Sequence, residues 1–282
     1  MTHRTDARPP GEAAGHTWDS TLSSGEFAAI RDAGFEPVGQ VLGTAVFNIG
    51  YGDAWGCPGA WSTTAAARAP SPAPAQSNAP RVKAMYAARR LALARAVAEC
   101  RALGGDGIVG VRLHVGEFPA GGLEFTVLGT AVRARSRVRP HVPFTSHLSG
   151  QDFAKLLYAG WVPTALAFGI ALATRHDDWA TSRRARWTAG NQEVDGYTQL
   201  IGRVRQNARR QLSLDAARDG ADGVVLDEME LSVSEIECPD AGYSVDHRAE
   251  AVLVGTSIAR FGRSERSSGP RPLTLMRLER EH

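Results

Sequence analysis

Cysteine is scarce: Cys57, Cys100 and Cys238 are odd in number, widely spaced and form no C-x-x-C pair. That excludes a disulfide framework and reads as free thiols in a reducing compartment. No run of about 18 apolar residues is present, so no membrane-spanning helix is expected. The stretch Met1 to Gly15 is polar and rich in Pro and Gly, without the apolar centre of a signal peptide. The expected location is therefore the cytoplasm. Charge of one sign is lacking too: 32 Lys and Arg stand against 30 Asp and Glu, a net +2. Such a balance predicts neither a nucleic-acid nor a membrane partner. The helical arginines have no aromatic platform beside them, which further disfavours nucleic acid. No Ser/His/Asp order, paired catalytic carboxylates or H-E-x-x-H motif occurs.

What the chain does have is internal repetition. Val41-Leu-Gly-Thr-Ala-Val46 returns unchanged as Val127-Leu-Gly-Thr-Ala-Val132. Looser versions are Ala167-Phe-Gly-Ile-Ala-Leu172 and Leu253-Val-Gly-Thr-Ser-Ile258, so positions 41 and 127 stand as far apart as 167 and 253. Leu22 to Phe27 is answered by Leu148 to Phe153, and Gly104-Gly-Asp-Gly-Ile-Val109 by Gly220-Ala-Asp-Gly-Val-Val225. A repeat has to be recognised before a fold is proposed. Here it indicates one small domain written twice.

Each copy opens with a short helix. Ser23-x-x-Glu26 is a capping box, Gly34 supplies the left-handed stop and Pro37 prevents continuation; Ser149, Asp152 and Gly160 repeat the pattern. The strands that follow, Val38 to Ile49 and Val162 to Thr174, are apolar at most positions and predict cover on both faces. Gly43 and Gly169 within them predict a close backbone approach. Long amphipathic helices come next, with Arg89, Arg90, Arg95 and Arg101 opposite the apolar stripe of the first. Hairpins close both copies, turning at Pro119 to Gly122 and at Pro239 to Gly242.

The fold class is therefore α+β: two tandem copies, each a short helix, a buried strand, a long amphipathic helix and a β-hairpin packed as one sheet. The expected boundaries are a disordered tail at 1–17, a first domain at 18–136 with a Pro-rich loop at 66–80, and a linker at 137–146. A second domain at 147–262 and a polar tail at 263–282 complete the chain.

The long Arg/Ala-rich helix running into Ala102-Leu103-Gly104-Gly-Asp-Gly-Ile-Val-Gly-Val111, then a hairpin ending Gly129-Thr-Ala-Val132, resembles the YbjQ-like family. That family carries a heavy-metal-binding label. The resemblance covers most of 22–135 and is fainter over 148–261, where Ala-Leu-Gly has become Ala217-Arg218-Asp219. It implies α+β domains assembling as rings, usually of five, and assigns no catalytic residues.

Candidate sites rest on the residues themselves. His176-Asp177-Asp178 is the densest set of potential ligands and the candidate for a divalent metal ion, against the alternative of a solvated turn before Trp179. His114 and Glu230 lie on polar strand faces beside Arg112 and Glu228, where cross-strand ion pairs explain them equally well. Asp227 takes the place of Val111 on an apolar face and so needs a partner or a shifted pKa. Cys100 falls in an apolar stripe and reads as structural. The leading expectation is a non-enzymatic, homo-oligomeric protein, with a five-fold ring as one form, binding a metal ion or small ligand. The alternatives are a scaffold or regulatory module contacting a protein partner, and an enzyme with an acidic site at Asp227, Glu228 and Glu230.

Overall fold

A computed structural model describes residues 19–49, 79–119, 122–137, 139–237 and 245–261. The expected N-terminal tail, nearly all of the Pro-rich loop, Cys57, Cys238, the second hairpin turn and the C-terminal tail lie outside the described residues. The first half runs α1 (Ser24–Asp32), β1 (Phe35–Phe47), α2 (Ala79–Ala102), β2 (Gly107–Glu117), β3 (Leu123–Ala134) and β4 (Phe144–Thr145). The second runs α3 (Gly150–Tyr158), β5 (Trp161–His176), α4 (Trp179–Ala185), α5 (Asp195–Arg218), β6 (Gly223–Glu237) and β7 (Val245–Arg260). The order helix, strand, long helix, hairpin thus occurs twice, and the fold is α+β.

Local chemistry accounts for the short helices. Ser23 Oγ accepts from Glu26 N–H at 3.3 Å while the Glu26 carboxylate accepts from Ser23 N–H at 2.8 Å, closing the capping box. Ser149 Oγ accepts from Asp152 N–H at 3.1 Å in the same way. Gly34 (φ 85°) and Gly160 (φ 81°) end α1 and α3 in the left-handed region.

The first sheet has the order β1-β3-β2-β4 and the second β5-β7-β6. The hairpin pairings are antiparallel, and only β2 with β4 is parallel. Residues 137–146, expected as a linker, carry β4, so the connection joins the first sheet instead of running free. Ala79 and Pro80, expected in the loop, form the first turn of α2, where proline's missing N–H costs nothing.

The layers follow from β5. Alternate residues Leu166, Phe168, Ile170 and Leu172 join the core around α2, while Ala167 and Ala171 join the core under α5. A strand covered on both faces is apolar along its covered stretch, as residues 165–173 are. The stack is first sheet, α2, second sheet, α5. At the end of the stack β1 differs: Val41 and Ala45 are buried toward α2, but Leu42 and Val46 are 51% and 48% exposed. Its outer face has no covering layer among the described residues.

The glycine contacts set the spacing. A Cβ on Gly43 would stand 2.0 Å from Ala92 O, and one on Gly169 would stand 2.2 Å from Ala208 O. Gly169→Ala should therefore destabilise the protein by about 1–3 kcal/mol through overpacking. Gly202→Ala in α5, whose added methyl meets nothing within 4 Å, should stabilise it by about 1 kcal/mol. Denaturant midpoints of the two variants check both signs.

Candidate functional site

α2 is covered by a sheet on two sides and keeps an exposed face between them, and this changes the reading of Arg89. Arg89 is 5% exposed, with its guanidinium 5.1 Å from the centre of the Phe125 ring. Burial draws its pKa down, opposed by the charges of Glu250 and Glu230. Arg90 pairs with Asp215, and Arg95 donates to Thr44 O. The expected solvated arginine row is thus partly an internal one.

These contacts also close strand edges. β1 and β5 are terminal in their sheets, where unpaired N–H and C=O groups would template another strand. The Glu99 carboxylate accepts from Leu42 N–H at 2.6 Å, and the Asp215 carboxylate accepts from Phe168 N–H at 3.0 Å. Glu99 and Asp215 hold the same place in the two long helices. The Tyr86 hydroxyl adds a second clip, accepting from Ile170 N–H at 3.0 Å and donating to Phe168 O at 3.2 Å.

Between the halves lies a cleft of about 350 Å³. Arg81, Arg89 and His114 line it from the first half, and Glu228, Glu230 and Glu250 from the second. Arg81 and Glu250 approach to 3.6 Å. The structure therefore brings His114 and Glu230 to one cleft from opposite sides, not onto paired strands. Asp227 is not with them. It is exposed at a β-bulge between Leu226 and Glu228, so the expected burial and its demand for a partner do not arise.

The three residues of the His176 set diverge. His176, the last residue of β5, places Nδ1 2.5 Å from the Asp246 carboxylate. Asp177 accepts from the Tyr197 hydroxyl at 2.6 Å. It also lies 3.2 Å from His247 Nδ1, a charge contact not aligned as a hydrogen bond. Asp178 caps α4, accepting from Thr181 N–H at 2.7 Å, and this bond holds its pKa below the usual range. Burial, then the bond to Asp177, raises the Tyr197 pKa. Asp246, His247 and Tyr197 were not among the sequence candidates, since pairing of β5 with β7 brings the first two here and the packing of α5 brings Tyr197.

A heavy-metal site does not assemble from these groups: among the described residues no three His, Cys, Asp or Glu side chains are placed to hold a metal ion. Cys100 is buried and its thiol donates to Gly107 O at 3.4 Å; burial pushes its pKa up to about 11. A thiol held protonated is a poor ligand.

The junction of the halves is polar at one place. Thr256 Oγ1 accepts from His147 N–H at 3.1 Å and lies 2.8 Å from His147 Nδ1 and 3.3 Å from Ser146 Oγ. With Nδ1 as acceptor of the Thr256 proton, the ring is neutral. Burial lowers the His147 pKa, while Asp227 and Asp152 pull it back.

A family model described as "Putative heavy-metal-binding", of the YbjQ type, matches residues 80–135, the stretch from α2 to the end of β3. The encapsulin nanocompartment protein Rv1762c of Mycobacterium tuberculosis is 33% identical over 259 residues, covering 88% of this chain and 88% of that protein. No solved structure matches significantly.

Two outcomes are expected. Tyr86→Phe strands the Ile170 N–H and should cost about 1–3 kcal/mol in denaturant unfolding. Because the folded-state pKa of His147 lies below its unfolded value, unfolded chains take up the proton first. Its contribution is complete above the unfolded value and is lost as pH falls through the window below it. His147→Gln should flatten that acid-side slope in unfolding free energy measured against pH.

Proposed function

The chain belongs to the family of the mycobacterial encapsulin nanocompartment protein, and from that premise we propose that it is a non-enzymatic, self-associating component of such a compartment in the cytoplasm. The observation that carries this reading is the apolar row on β6. Met229, Leu231 and Val233 are 45%, 37% and 50% exposed, and they lie on the face of the second sheet that α5 covers over β5, β7 and the Val224 end of β6. Rows of this kind on a soluble protein mark contact surfaces. The charged cleft is lined by arginines and glutamates that face one another, with Arg81 and Glu250 at 3.6 Å. Among the described residues no helix is long and apolar enough to cross a membrane.

A second reading, a divalent ion at His176, Asp177 and Asp178, rests on one oxygen. Asp177 Oδ1 is buried without a hydrogen-bond partner. It supplies one ligand, and the others would come from solvent or another copy.

Light scattering on protein purified without chelator should give a multiple of 30.1 kDa. A monomer at working concentration would sink the self-association reading. Elemental analysis of the same fraction tests the second reading, which predicts stoichiometric metal that is lost in Asp177→Asn.

A further inference from the structure

The contact joining the two halves has a direction. α2 of the first half lays an outward stripe, including Val82, Tyr86, Leu93 and Val97, on the face of the second sheet made by Leu166, Phe168, Ile170 and Leu172. α5 is the counterpart of α2, and the first sheet is the counterpart of the second. The corresponding stripe on α5 is Thr198, Gly202, Arg209 and Ser213, all exposed. The corresponding row on the first sheet is Gln40, Leu42, Thr44 and Val46, with Leu42 and Val46 about half exposed. One molecule thus ends in the two complementary halves of a contact that it has already made once internally.

We propose that a second copy of this chain seats the open face of its first sheet on α5 and β6 of the first copy, repeating between chains the helix-on-sheet contact that joins the halves. The proposal rests on the self-association reading and assigns its surfaces. Within the chain, Leu113 and Val115 of β2 look across the cleft toward Val252 and Val254 of the second sheet. Their counterparts on β6 are Met229 and Leu231, which an incoming first sheet would cover in the same manner. The side chains that form an ion pair inside the chain are exchanged at this contact: Glu99 of α2 stands where Asp215 stands and Gln206 where Arg90 stands, so the internal Arg90–Asp215 bridge gives way to a carboxylate–amide pair. Such a heterologous contact repeats until it closes a ring or extends a filament. Both halves then occupy successive places in one ring or line, not separate stacked rings.

The test uses two full-length variants, Leu42→Glu on the sheet face and Met229→Glu on β6, both at already exposed positions. Light scattering of each alone should fall to 30.1 kDa, with circular dichroism unchanged. Mixed in equal amounts they should form a dimer of twice that mass and nothing larger, because each keeps one intact face and the two intact faces are complementary. Val46→Glu with Arg209→Glu is a second pair held to the same result should either first variant misfold. If Leu42→Glu associates like wild type while Met229→Glu does not, β6 pairs with itself: the docking is overturned and self-association survives. A mixture that stays monomeric also overturns the docking, and a monomeric wild type removes self-association altogether.

Discussion

Everything in this molecule hangs on α2 being held between two sheets. One side of the helix is narrow, built from Ala88, Ala92 and Ala96, so that the backbone of β1 at Gly43 can come within contact of Ala92 O. The other side is broader, with Tyr86, Leu93 and Val97 filling the space up to β5. A helix with two covered sides buries one of its arginines and ties two of the exposed ones to its neighbours. Arg89 is buried against Phe125, and Arg90 and Arg95 are drawn to Asp215 and Thr44. Burying a guanidinium is costly unless charge and π-density offset it. The Glu230 and Glu250 carboxylates across the cleft supply that offset.

The same helix pair solves the edge problem of both sheets. Glu99 and Asp215 satisfy one outward N–H each, on β1 and β5. At these positions edge protection comes from acidic side chains of the covering helix, beyond the prolines Pro37 and Pro163 near the start of each strand. β6 shows no comparable cap among the described residues, and it carries the exposed apolar row. That contrast within one sheet is why association is assigned to β6 and its surroundings.

The repeated order of elements lets the two halves be compared surface by surface. Where α2 meets β5, both surfaces are apolar. Where α5 and β1 face outward, both surfaces are mixed. The seam itself is tied by short polar bonds, Thr145 Oγ1 accepting from Leu166 N–H at 2.9 Å and Thr256 meeting His147, so the connecting residues are structural and not a tether.

The sequence by itself determined the elements. Capping boxes, left-handed glycines and the alternation of β2 are local signals, and local signals are readable along one chain. It also determined that β5 lies between two layers, since a strand with apolar residues at most positions on both faces has little to give to water. The repeat pointed to the matching architecture of the halves. The sequence did not reveal that β1 keeps one face open, because Leu42 and Val46 look the same whether a neighbour covers them or not. Nor could it show that His176 and Asp177 meet Asp246, His247 and Tyr197, or that His114 and Glu230 share a cleft while Asp227 stays outside at a bulge. Those meetings depend on strand register and on how one half sits on the other. Both are set by contacts from twenty to more than a hundred residues apart in the chain, where pattern carries no distance information and only packing decides.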